Sequence, residues 1–229
     1  MDVLTSRGKR IHDVVRADIL GGKWMPGERL QPAVLATSYQ TSTTVVREAL
    51  TRLAGENFID IQPNRGFFVP RLSLDVLRDL TEVRCRTESL AIELAVDRGD
   101  LAWEAELTAA HHTLARTPRR GAHDPQHVSE TWAEVHRAFH MKLIDACDVP
   151  VLIDFSRRLA DATELYRRWA APSTAATTRS AEEEHAAILA ATLSRDAQLA
   201  SELLRQHYER TVQVVLESGL VEGIESAKV

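Results

Sequence analysis

Up to about Pro70 the chain mixes short helical patterns with one β-like stretch, and beyond it long amphipathic patterns take over. Ile11, Val14, Val15, Ile19 and Leu20 share one helical face, and Gly21-Gly22 ends that helix. Lys23-Trp24-Met25-Pro26-Gly27 is turn chemistry with an aromatic plug. Pro32 opens a short helix that buries Val34, Leu35 and Ala36. Ser42 is placed to cap a helix over 43–55, whose apolar face is Val46, Leu50 and Leu53 and whose end is Gly55. The apolar runs Phe58–Gln62 and Gly66–Val69 flank Pro63-Asn64-Arg65 and predict a hairpin. Helix, short helix, turn, helix and hairpin in that order spell a winged helix-turn-helix.

After Pro70 the pattern predicts six helices, near 73–98, 101–116, 125–146, 149–170, 180–193 and 196–217, with no strand between them. Asp124-Pro125 reads as an N-cap with proline at the first helical position. Ser180-Ala181-Glu182-Glu183 reads as a capping box, and Asp196 as the cap of the last helix. Thr117–Gly121 and Pro172-Ser173-Thr174 read as loops. The expected fold is therefore mainly α: a winged helix-turn-helix over 1–70 with a small β hairpin, and an all-α antiparallel helical bundle over 71–229. A bundle of that size can enclose a pocket.

Composition narrows the classes. Of 229 residues, 44% are hydrophobic and 27% charged, as in ordinary globular protein. No apolar run nears the ~20 residues needed to span a bilayer. Met1–Arg7 lacks a secretory pattern. Two cysteines, Cys85 and Cys147, make neither a disulfide framework nor a thiolate zinc site. The expectation is a cytoplasmic protein with no membrane partner. Residues 1–70 hold nine Lys/Arg against seven Asp/Glu, net +2, leaving 19 against 26, net −7, for the remainder. A basic front on an acidic body suits nucleic-acid contact by one domain.

Thr41, Ser42, Thr43 and Thr44 place hydroxyls and helix N–H groups where phosphate oxygens can be met. Arg47 lies on the face opposite Val46 and Leu50 and is the first choice for a base-edge or phosphate contact. Arg52, about 500° further round, suits a backbone clamp or a solvated position. Arg65 and Gly66 at the hairpin tip suit an adjacent minor groove. Equally open for Thr41–Thr44 and Arg47 is a bare capping segment with a solvated charge.

His136 and His140, four apart, project from one helix face and can share a divalent ion, or simply pair without one. His185 and His207 fall inside apolar helical patterns, where an imidazole needs hydrogen-bond partners or a metal. His12, His111, His112, His123 and His127 read as solvated.

Pro26-Gly27-Glu28-Arg29-Leu30, Leu35-Ala36, Thr41–Leu50, Arg52-Leu53 and Arg65-Gly66-Phe67-Phe68-Val69 together resemble the N-terminal domain of GntR-family transcription regulators. The resemblance implies a homodimer that binds a palindromic double-stranded operator. The family often carries arginine where this chain has Ala33 and Thr43, and two fewer cations flatten the fall of affinity with salt. Arg84 and Glu88, Phe139-His140 with Leu143 and Ala146, Glu184-His185 with Ile188 and Ala191, and Asp196 with His207 resemble the FCD effector-binding domain of the FadR-like subfamily.

In metal-binding members similar to this one, two ligands come from one helix as Asp-x-x-x-His and two histidines come from the last two helices. By position these are His136, His140, His185 and His207, with histidine replacing the usual carboxylate at 136. A neutral four-imidazole set leaves a bound ion its full +2. It is therefore expected to favour zinc, or nickel, over manganese, and to draw an anionic effector. The effector expected from the resemblance is a small organic acid. Arg84 could grip its carboxylate, or form an i,i+4 salt bridge with Glu88 on a solvated face. Thr87 and Arg167 are further pocket candidates by helix phase. The reading is a regulator rather than an enzyme. The alternatives are a metal-dependent enzyme, for which Glu182 is the candidate base, and a DNA-binding dimer that senses nothing.

Overall fold

The computed structural model describes residues 2–121 and 124–219, with the side chains of residues 2–7 left aside. The chain forms two units, Met1–Ser73 and Leu74–Val229. In the first, α1 (Asp2–Leu20) lays Val15 and Ile19 against α3 (Thr43–Gly55), and all four of Val15, Ile19, Val46 and Leu50 are fully buried. Between them α2 (Pro32–Ser38) starts on proline, whose missing N–H would have had no helical partner anyway. Gln40 turns the chain with a positive φ. Ser42 caps α3: its hydroxyl accepts the Val45 N–H at 3.3 Å.

The wing is a three-stranded antiparallel sheet with strand order β1-β3-β2, formed by β1 (Arg29–Leu30), β2 (Asp60–Gln62) and β3 (Gly66–Phe68). Phe67 sits opposite both Leu30 and Ile61. β1, only two residues long, leaves no alternation for a sequence pattern to show. Phe58 and Ile59 lie buried ahead of β2 rather than within it. Asn64 and Gly66 both take positive φ, +59° and +101°, and the second conformation favours glycine. His12, read as solvated, is instead buried, its two ring nitrogens 2.9 Å from the carboxylates of Asp13 and Glu56. That pairing ties α1 to the C-terminal cap of α3.

The second unit comprises α4 (Leu74–Arg98), α5 (Leu101–Arg116), β4 (Arg120–Gly121), β5 (Asp124–Val128), α6 (Glu130–Asp145), α7 (Pro150–Ala170), α8 (Thr174–Thr178), α9 (Ala181–Leu193) and α10 (Ala197–Glu217). α4 packs along α10 and α7, α5 along α6 and α9, and α9 on α10. Ile92, Leu107, Phe139, Leu143, Ile144 and Ile188 are fully buried and form the heart of the bundle.

Three local expectations give way to the tertiary structure. Asp124-Pro125 does not open a helix: it begins β5, which pairs with β4 in a short antiparallel hairpin. The hairpin persists because guanidinium groups collect its carbonyls. Arg120 donates to Pro125 O at 3.0 Å and, across to the end of α7, to Ala171 O at 2.6 Å, while Arg168 donates to Val128 O at 2.8 Å. Ser129 then caps α6 by accepting the Trp132 N–H at 3.1 Å. Thr174 begins the short helix α8, capped by Ser173, so the described residues of this unit hold seven helices instead of six. Ser180 precedes α9 without any side-chain capping bond, and the expected capping box is not formed. Asp196 caps α10 as expected, accepting the Leu199 N–H at 3.0 Å. His123 lies outside the described residues.

These caps make a paired prediction. Ser129→Ala should destabilise the second unit by about 1 kcal/mol in denaturant unfolding. Ser180→Ala should stay within ~0.5 kcal/mol of the parent chain.

Candidate metal centre

α6, α9 and α10 each bring imidazole to one place in the second unit. His136 and His140 come from successive turns of α6, His185 from the first turns of α9, and His207 from the middle of α10. One ring nitrogen from each lies within 4.8 Å of the other three, and all four residues are 2–5% exposed. His140 Nε2 and His185 Nε2 face each other at 3.3 Å. In a tetrahedral zinc site with Zn–N near 2.0–2.1 Å, nitrogens stand about 3.4 Å apart, so this donor set fits a divalent transition ion after small side-chain adjustments.

Groups behind the rings decide which nitrogen carries the proton. His207 Nδ1 donates to Glu184 Oε2 at 2.7 Å, leaving Nε2 with its lone pair. Tyr208 donates its hydroxyl proton to Glu88, and its oxygen lies 3.2 Å from His140 Nδ1, which therefore carries a proton and leaves His140 Nε2 open. Trp132 stacks on His136 at 4.5 Å between centroids and 20° between planes. His136 Nδ1 is buried without a hydrogen-bond partner, an arrangement that a bound ion or ligand would relieve.

The rings are neutral. Burial, before any neighbouring charge, pushes His136, His140 and His207 well below the usual imidazole range and lowers His185 to about 3. Positive charge surrounds them: small crevices flank the cluster, one lined by Arg84, Thr163, Arg167 and Tyr208, the other by Arg119, Trp132, Arg167 and Arg179. Burial works against the Arg84 cation, but the Glu88 carboxylate at 2.8 Å and the Tyr208 hydroxyl together outweigh it and raise its pKa. Burial lowers those of Arg119 and Arg167.

Arg84 does pair with Glu88 at i,i+4, yet both are buried rather than solvated, and the guanidinium also reaches Thr163 Oγ1 at 3.0 Å and lies 3.9 Å over the Tyr208 ring. Arg167 lines both crevices. Thr87 bonds back to Val83 O at 2.7 Å and lines neither, while Thr163, from α7, stands where it was expected. Glu182 is exposed on α9. The carboxylate that touches the histidines is Glu184, which helix phase could not single out because only its tertiary partner lies on α10. Of the histidines read as solvated, His111 packs edge-on to Phe139 at 5.4 Å and His127 bonds Asp124 at 2.9 Å, whereas His112 is exposed.

In the first unit, Ser42, Thr43, Thr44 and Arg47 are exposed at the start of α3, with Thr41 half-buried before it. Arg52 is exposed near its end. Arg65 is exposed at the wing tip, its guanidinium 5.5 Å over Phe68, beside half-buried Gly66.

Comparison with known proteins accounts for both units. Residues 7–69 match the family described as bacterial regulatory proteins, gntR family, and residues 79–210 match the FCD domain. The chain is 38% identical over 207 residues to the uncharacterized HTH-type transcriptional regulator BphR of Paraburkholderia xenovorans, covering 90% of this chain and 84% of that one. It is 29% identical to the HTH-type transcriptional repressor GlaR of Escherichia coli, covering 88% and 92%. Among solved structures, E. coli McbR/YncC superposes with a TM-score of 0.70 at 22% identity over 94% of this chain and 98% of that one, a likeness of fold. These relatives are transcriptional regulators, not enzymes, and the metalloenzyme reading is set aside.

The neutral imidazoles carry a pH signature. Their folded-state pKa values lie below the unfolded value near 6.5, so the unfolded chain binds more protons on acidification. The stability they contribute is complete above pH 6.5 and is lost as pH falls from there toward 3, at about 1 kcal/mol per imidazole per pH unit. Chelator-treated protein should therefore unfold at lower denaturant at pH 5.5 than at pH 7.5, and His185→Asn should lose less over that interval than the parent chain.

Proposed function

The chain belongs to the GntR family of bacterial regulatory proteins and carries an FCD domain, so it is a DNA-binding transcriptional regulator, and on that premise we propose that a small carboxylate effector controls its affinity for operator DNA. The effector binds at or beside a divalent ion held by His136, His140, His185 and His207. The observation that carries this reading is the burial of four neutral imidazoles, one nitrogen each within 4.8 Å, inside a shell of arginines.

When bound, the ion supplies a +2 charge and open coordination positions for a carboxylate oxygen. An all-imidazole set suits zinc, with nickel second, over manganese. Arg84 and Arg167 face the same crevice and give a second carboxylate oxygen its counter-charge, while Tyr208 and Thr163 hold Arg84 in line. Buried arginines hydrogen-bonded in this way discriminate for anions because an uncharged ligand would leave them less well paired.

At the DNA, Thr41, Ser42, Thr43 and Thr44 meet phosphate at the start of α3, and Arg47 reaches base edge or phosphate. Arg52 clamps the backbone, and Arg65 with Gly66 enters the neighbouring minor groove. A palindromic operator calls for two such helices, hence a homodimer. Val76, Val83 and Leu90, seven apart and each nearly half exposed on α4, support a helix-to-helix interface between copies. Control of DNA binding then requires only that the effector bind one arrangement of the dimer more tightly than the other.

Protein purified without a His-tag or chelator should contain about one zinc or nickel per chain, bound more tightly than manganese. Alanine at His140 and His185 should remove both the metal and the response of DNA binding to small carboxylates. A chain free of stoichiometric metal, or an unaltered response in the double variant, would sink the metal-centred reading. Arg47→Ala should weaken operator binding by about 1–3 kcal/mol while leaving metal content unchanged, and undiminished affinity would remove Arg47 from the interface.

A further inference from the structure

The geometry points to Glu184 as the anionic partner of the four-imidazole centre: a positioning carboxylate that, through His207, supplies the negative charge the ligand set itself lacks. The inference rests on the metal-centred reading above.

Histidine at 136 leaves the set without a carboxylate, yet α9 delivers one just behind it. Glu184 Oε2 accepts the His207 Nδ1 proton at 2.7 Å. A carboxylate in that position fixes the ring's tautomer and orientation, directs Nε2 to the centre and makes it a stronger donor. Glu184 is one residue from His185, so a single turn of α9 provides both an imidazole and the charge behind another one.

Arg179 holds Glu184 in place. Its Nε donates to Glu184 Oε1 at 2.9 Å and its Nη2 to Oε2 at 2.5 Å, while the same guanidinium bonds His207 O at 2.8 Å and Thr211 Oγ1 at 2.9 Å. Arg179 Nη2 also stands 3.1 Å from His207 Nδ1, because both donate to the same oxygen. Without the carboxylate, Arg179 would face the ion as an uncompensated like charge. Removing the negative charge of Glu184 therefore costs more than one hydrogen bond. Glu88 acts at greater remove, touching His140 only through the Tyr208 hydroxyl.

The test uses the full chain, stripped by chelator and reloaded with zinc in competition with a chromogenic chelator, and in parallel with cobalt to read its visible absorption bands. Glu184→Gln should weaken zinc binding by about 10–100-fold and shift the cobalt bands, with the circular dichroism of the metal-free chain unchanged. Glu183→Gln, which removes the same charge from an exposed neighbour, should leave the affinity within about twofold. Zinc affinity of Glu184→Gln within about twofold of the parent chain, with identical cobalt bands, overturns the inference while leaving the metal centre standing. Failure of the parent chain to bind either ion removes the metal centre, and the inference with it. Should Glu184→Gln not fold, Glu184→Asp, which keeps the charge but shortens its reach to His207, carries the same expectation of at least about tenfold loss.

Discussion

Four imidazoles buried side by side put a demanding constraint on a helical bundle. They cannot all be protonated, since burial and mutual repulsion drive the charge off. Nor can neutral rings fully satisfy one another, because each has one donor and one acceptor and the cluster points acceptors inward. Much of the second unit's polar interior follows from this. Glu184 and Tyr208 take up outward N–H groups, Trp132 covers the face of His136, and the open nitrogens converge.

The bracing extends a further layer. Glu88 accepts from Arg84 and Tyr208, Arg84 reaches across to Thr163 on α7, and Arg179 links Glu184 to α10. Each carboxylate is thus matched by a buried guanidinium, which keeps ionised groups tolerable in a low-dielectric interior. The same arginines line crevices on either side of the cluster, where, in the proposed reading, they would also meet an anionic effector.

The departures from local expectation share one origin. Asp124-Pro125 has every local mark of a helix start, yet the segment is a strand, because Arg120 and Arg168 gather its carbonyls against α7. Ser180 and Glu183 have the spacing of a capping box, yet the cap does not form, and the neighbouring Arg179 and Glu184 face each other and His207 instead. His12 carries no local sign of burial, and its partner Glu56 is 44 residues away. In the first two cases hydrogen bonds to charged groups, worth about 1.5–3 kcal/mol each, exceed the cap preference they displace, and in the third such a bond holds the buried ring.

What the chain determined by itself was whatever depends on neighbours three or four residues away. That includes the helical faces, the Ser42 and Asp196 caps, the wing hairpin, the His136–His140 pair, and the dense motif by which the family can be read. The resemblance to the family named His185 and His207 as partners of that pair, and the fold brings all four together, but only the tertiary structure decided that Arg84 and Glu88 are buried together and that Glu184 stands behind the cluster. Periodicity reports which way a side chain leaves its own helix. Whether another helix meets it there is set by packing between segments dozens of residues apart, and no local pattern carries that information.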